Sequence, residues 1–144
     1  MRPQDHQDRL LAQLRLFEDP HERLGFIQER ARKISPLPEE FRTESHRVSG
    51  CVTRVWIRCT HTGEACVFEV DSESSMVRGL ALLVCEVYSG CSAAEVAEFG
   101  STLVSLAGLD RVVTPTRLHG LSRVQEVIRE FARAVTDVPS PSGH

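Results

Sequence analysis

The sequence has no apolar run near the roughly 20 residues needed to cross a bilayer, and its start, MRPQDHQDRL, has no hydrophobic stretch of signal-peptide type. Both absences place the chain, as an expectation, in the cytoplasm or an equivalent reducing compartment, with no membrane partner. Surplus positive charge is also missing: 17 Lys and Arg stand against 20 Asp and Glu, a net charge of −3, and Lys33 is the only lysine. Nothing is left over to neutralise a phosphate backbone, so nucleic acid is not an expected partner. No CxxC pair occurs, and Cys51, Cys59, Cys66, Cys85 and Cys91 make an odd count of 5. That argues against a disulfide framework and for buried or reactive free thiols. There is no HExxH, no Gly-rich phosphate loop and no nucleophile elbow, and the 6 histidines do not cluster.

What is present is the make-up of one ordinary domain. The chain has 144 residues, 41% hydrophobic and 26% charged, without internal repeat or central linker. Residues 1–135 read as that domain and residues 136–144, with two prolines among small residues, as a disordered tail. Leu10, Leu14 and Phe17 share one face of a first helix. Asp19 caps a second, Pro20 opens it, and Leu24, Ile27, Ala31 and Ile34 form its stripe. The period then changes from 3.6 to 2. Val55, Ile57 and Cys59, then Cys66, Phe68 and Val70, alternate with polar residues around a turn at Thr62-Gly63. That loop sets Cys59 against Cys66, Ile57 against Phe68 and Val55 against Val70 on the core face, with Arg54 opposite Asp71 outside. Residues 46–48 offer a third strand. Ser72 reads as the cap of a buried helix ending near residue 89, Ser92 and Glu95 as a capping box, residues 102–107 as a short helix, and Thr114-Pro115 as the start of a long one with Leu121, Val124, Ile128, Phe131 and Val135 as its apolar stripe. The expected class is α+β: a small antiparallel sheet of about three strands packed against several helices.

Cys51 is the cysteine with the most to say. It follows Gly50, whose backbone freedom suits a tight or mobile tip, and it lies between Arg47 and Arg54, with His46 nearby. Positive charge favours thiolate, the nucleophilic form. The same residue also fits a packed loop cysteine. Cys59 and Cys66 read as small buried hydrophobes, because a zinc site would need two further ligands on their face. Cys85 and Cys91 read as structural. Arg117 sits in the first turn of the last helix, against the helix dipole, which hints that its charge is wanted there.

The segment Val48-Ser49-Gly50-Cys51-Val52-Thr53-Arg54-Val55-Trp56-Ile57 resembles the V-x-G-C-Q-S-Q-V-W motif of the SufE family, sulfur acceptors of iron–sulfur cluster assembly. Asp71-Ser72-Glu73-Ser74-Ser75-Met76-Val77-Arg78-Gly79-Leu80 is similar to that family's D-S-D-A-A-I-V-K/R-G-L, and Thr114-Pro115-Thr116-Arg117 with Gly120-Leu121 to its T-P-S-R-x-x-G-L. Three blocks agree in order and spacing. The departures are Val52-Thr53-Arg54 for Gln-Ser-Gln, Glu73 for Asp and Thr116 for Ser.

The resemblance implies a SufE-like fold and a carrier rather than an enzyme. Cys51 would take persulfide sulfur from a pyridoxal-phosphate-dependent cysteine desulfurase, stimulate it, and pass the sulfur to an iron–sulfur cluster scaffold. Gly50 and Arg117 would support the thiol, and Glu73 and Arg54 would meet the partner. The chain would hold no metal and no cofactor of its own, pyridoxal phosphate belonging to the desulfurase. Two other classes stay open on the residues alone: an iron–sulfur or zinc scaffold, and a stand-alone thiol enzyme using His46 or His119 as base.

Overall fold

The computed structural model describes residues 1–137. Among these, six α-helices and one hairpin follow in the order α1 (Pro3–Leu14), α2 (Pro20–Arg32), β1 (Val55–Thr62), β2 (Ala65–Ser72), α3 (Ser75–Tyr88), α4 (Ala93–Glu98), α5 (Leu103–Leu106) and α6 (Pro115–Asp137). Isolated 3-10 turns lie at Glu39–Phe41, Glu44–His46 and Leu109–Arg111. The α+β class stands. Helix α3 is the central element and packs against β2, α2, α6 and α1. It is buried nearly all round, on Val77, Leu80, Leu83, Val84, Val87 and Tyr88, so its sequence is almost continuously apolar.

The caps at Asp19 and Ser92 form as expected: Asp19 accepts from His21 N–H at 2.8 Å, and Ser92 exchanges bonds with Glu95. Other expectations shift. Strand β2 runs on through Ser72, so the α3 cap is Ser74, which accepts from Val77 N–H. Helix α1 stops at Leu14, leaving Phe17 outside it, 5.0 Å from the Phe26 ring. Ile34 lies beyond α2 and is 37% exposed. On α6, Leu121, Val124 and Ile128 are buried as the stripe requires. The helix takes in residues 136 and 137, the first of the expected tail; the rest of that tail lies outside the described residues.

The hairpin register differs from the expected one by two. Val55 opposes Ser72, Ile57 opposes Val70, Cys59 opposes Phe68 and His61 opposes Cys66. The loop is Gly63-Glu64, because Gly63, at φ +63°, takes the first loop position. A slip of two preserves parity, so the faces survive: Val55, Ile57, Cys66, Phe68 and Val70 are buried and Cys59 is half-buried. The opposed pairs change. Trp56 faces Asp71, and Arg54 reaches past the strand end to Glu73. Asp71 is itself buried, accepting from Leu37 N–H at 3.2 Å and Ser72 N–H at 2.8 Å, with Arg78 Nε at 3.1 Å. Arg78 also donates to the carbonyls of Ala31 and Ile34, closing the C-terminus of α2.

The third strand does not form, and the sheet has two strands. Residues 46–48 contribute one bridge, Arg47 to Trp56, and a bond from Val48 N–H to Val55 O of 2.8 Å. A 3-10 turn precedes that bridge and Gly50, at φ +85°, follows it, so pairing cannot propagate in either direction. Among the described residues no helix is long and apolar enough to cross a membrane.

Candidate functional site

The bond between Val48 and Val55 closes the base of a short loop, residues 49–54, with Cys51 at its tip. The chain turns at Gly50 because its left-handed φ of +85° suits glycine, and because a Cβ there would lie 3.2 Å from Arg123 Cγ. Val52, next to the thiol, is 81% exposed. Cys51 itself is half-buried and faces α6, with Sγ 3.6 Å from the Gly120 carbonyl oxygen. A cleft with about 20 Å³ of free space opens beside it between Val55, Val77, Thr116, Arg117 and Gly120. That is room for a single water-sized group. Cys51 also borders a second, wider hollow of about 350 Å³, lined with it by Glu44, Arg47, Val48, Ser49 and Gly50.

Both ends of the loop are tied down. At the exit, Glu73 accepts from Arg54 N–H at 3.0 Å and from Arg54 Nε at 3.2 Å, while Ser72 Oγ donates to Arg54 O at 2.8 Å. These bonds, the one from the Arg54 backbone first, hold the Glu73 carboxyl below the usual glutamate range. Glu73 precedes the Ser74 cap and so lies outside α3, where its bonds serve the loop exit. At the entry, Arg123 on α6 donates from Nε to Ser49 O at 3.1 Å and from a terminal nitrogen to Ser49 Oγ at 3.4 Å, and pairs with Glu126.

Burial pushes the Cys51 thiol up from its ordinary value; Arg123, then Arg47, pull it back only in part. The sequence pointed to Arg47, Arg54 and Arg117 for this work, and of these Arg47 acts on the thiol. Arg54 is turned to Glu73. Arg117 lines the cleft, but its guanidinium lies 3.6 Å from Met76 Sδ. Arg123 was missed. A faint signal was available: a glycine inside a long helix costs about 1 kcal/mol, which marks Gly120 as a point of close approach, and Arg123 is one turn further along that face. Neither histidine considered as a base serves the thiol. His46 is engaged by Thr43 and Ser45 and sits edge-on to Phe41, and His119 is exposed.

The other cysteines are free and lie in or against the core. Burial raises the thiols of Cys59, to about 12, and of Cys91, to about 11; those of Cys66 and Cys85 are raised too. Among the described residues no group of three or more His, Cys, Asp or Glu could hold a metal ion.

The chain matches the model of the SufE family, described as an Fe-S metabolism associated domain, over residues 8–132. It belongs to the SufE family. Membership places it in iron–sulfur metabolism. It is 32% identical to an uncharacterised SufE-like protein of Rhizobium etli, over 88% of both chains. It is 29% identical to the cysteine desulfuration protein SufE of Wigglesworthia glossinidia brevipalpis, over 82% of this chain and 83% of that one. A chloroplastic and mitochondrial SufE-like protein 1 of Arabidopsis thaliana is 31% identical over 70% of this chain, which spans only 28% of that protein. The solution structure of a hypothetical protein from Thermus thermophilus superposes with a TM-score of 0.76 at 22% identity, covering 92% of this chain and 97% of that one. It shares the SufE fold.

Proposed function

We propose that this SufE-family chain is a sulfur carrier: Cys51 accepts sulfur from a pyridoxal-phosphate-dependent cysteine desulfurase, which the chain stimulates, and passes it to an iron–sulfur cluster scaffold. The cofactor is the partner's, and the chain needs none of its own. The observation that carries this reading is the position of Cys51: it follows left-handed Gly50 at a loop tip and is only half-buried, beside a cleft with room for one more atom, whereas Cys91, which follows left-handed Gly90, is buried. Likeness to a protein named for cysteine desulfuration supports the choice of partner.

The transfer balances without an outside oxidant. Cys51 loses its proton to solvent, and its thiolate attacks the outer sulfur of the desulfurase persulfide. A new S–S bond forms at Cys51, the old one breaks, and the desulfurase cysteine leaves as thiolate. The second transfer repeats this with Cys51 as the leaving group. Between the two, an exposed persulfide is open to reductants and oxidants, and the cleft beside Gly120 offers its outer sulfur shelter. The scaffold alternative needs further ligands around the thiol, but the charged groups acting on it are Arg123 and Arg47, which bind no metal. The thiol-enzyme alternative needs an ordered base, and His46 is held elsewhere.

The deciding measurement mixes the chain with a cysteine desulfurase and cysteine and reads the mass of each cysteine peptide. One added sulfur on Cys51 is expected. Cys51→Ser, a near-isosteric loop change with little stability cost, should fold, take up no sulfur and fail to stimulate the desulfurase. Sulfur carried by another cysteine, with stimulation intact in Cys51→Ser, would refute the proposal.

A further inference from the structure

The charge that acts most on Cys51 comes from α6, and the same side chain holds the loop. Its Nε and one terminal nitrogen bind the carbonyl and hydroxyl oxygens of a single residue, Ser49, while the other terminal nitrogen is taken by Glu126. Glu126 lies three residues further along the helix, so it fixes the plane of the guanidinium and leaves its remaining edge facing the loop. The aliphatic stem of Arg123 is the floor under Gly50, with a Cβ position there 3.2–3.3 Å from its Cγ, Cδ and Nε. Only 25% of the side chain is exposed.

We propose that Arg123 is the positioning residue of the Cys51 loop, a latch whose fork holds Ser49 and Gly50 against α6 and thereby seats the thiol over Gly120. The rest of the loop is pinned independently of it. Val48 stays bound to Val55, and Arg54 to Glu73 and Ser72. Releasing Arg123 therefore frees the tip alone, with Gly50 as the hinge. The latch matters because it keeps the half-buried Sγ against the Gly120 carbonyl, beside the cleft of about 20 Å³, although Cys51 also borders the hollow of about 350 Å³. Sulfur is stored in the latched position, and release of the tip exposes it more fully for receipt and delivery. Arg123 thus sets how often Cys51 is presented.

The functional meaning of the latch rests on Cys51 being the sulfur acceptor. Its existence does not, and the test uses no desulfurase, so the two can fail separately. Arg123→Met keeps the stem under Gly50 and removes every donor. Arg123→Lys keeps the charge but loses the fork. For each variant of the full chain, two quantities are measured: the alkylation rate of Cys51 by iodoacetamide across pH, taken at its high-pH plateau so that it reads access and not ionisation, and amide exchange over residues 50–53. Losing hydrogen bonds from a charged donor should raise both roughly tenfold in Arg123→Met, with the thermal midpoint lowered by no more than about 4 °C. Arg123→Lys should open the loop nearly as far. Plateau and exchange in Arg123→Met within twofold of the parent would overturn the proposal. So would an Arg123→Lys chain indistinguishable from the parent, since charge alone would then hold the loop.

Discussion

Replacing Gly120 by alanine separates two things the cleft could be for. Gly120 is inside α6, where alanine is favoured over glycine by about 1 kcal/mol. The new Cβ would stand 3.4 Å from Cys51 Sγ and 3.9 Å from Cys51 Cβ. Both distances are ordinary van der Waals contact, so the reduced thiol tolerates the change and the helix keeps most of its gain. For a domain of this size that gain corresponds to a rise of roughly 3 °C in thermal midpoint. The persulfide is a different matter. The free space beside the thiol is about 20 Å³, and a methyl group is no smaller than the one water-sized group that fits there. Gly120→Ala should therefore be more stable than the parent yet unable to seat an outer sulfur. The assay loads Cys51 with sulfur, adds a small thiol reductant and follows the persulfide by mass spectrometry. The loaded variant should lose its sulfur several-fold faster than the parent. A higher melting point with an unchanged persulfide lifetime would refute the shelter. A lower melting point would show that even the bare thiol needs the missing side chain.

Other outcomes follow from the surroundings of the loop. Asp71→Ala leaves Arg78 and the Leu37 N–H without their buried partner, and should cost about 3–5 kcal/mol, read as a lower urea midpoint at unchanged slope; a loss well under 1 kcal/mol would contradict the burial argument. Changing Cys59 and Cys66 together to alanine removes little core volume and should cost about 1–2 kcal/mol while sulfur uptake on Cys51 persists; lost uptake would make them part of the site. The Glu73 carboxyl is held below its usual range, so its contribution to the loop exit is present above the ordinary value of about 4.3 and is lost as pH falls through the lowered one. In an NMR titration, Arg54→Ala should raise the Glu73 midpoint only part of the way, because the backbone N–H of residue 54 remains; a complete return would assign the whole effect to the side chain.

Local chemistry was legible in the sequence where a residue's partners lie within a few positions. The caps at Asp19 and Ser92 and the apolar stripe of α6 depend on contacts three or four residues apart, and they formed as expected. Parity along the hairpin was legible because it is set by alternation alone. Register was not: it turned on which side of Gly63 the loop begins, and both choices bury the same faces. The third strand failed for a related reason. Residues 46–48 have an extended pattern, but a strand also needs pairing beyond one bridge, and the turns on either side deny it.

The candidate site divides the same way. Cys51 and Gly50 could be read from a single motif, but the environment of the thiol could not, because it is built from α6. Nearby Arg47 and Arg54 suggested a thiol activated by charge. In the fold, one of them is turned to Glu73, the strongest charge arrives from Arg123, and burial against Gly120 outweighs the charges. Burial thus opposes thiolate formation in the seated thiol, while Arg123 and Arg47 favour it. The sequence neighbours of Cys51 show the charges and not the burial, because the surface that covers the thiol is laid down by a helix residue 69 positions further along the chain.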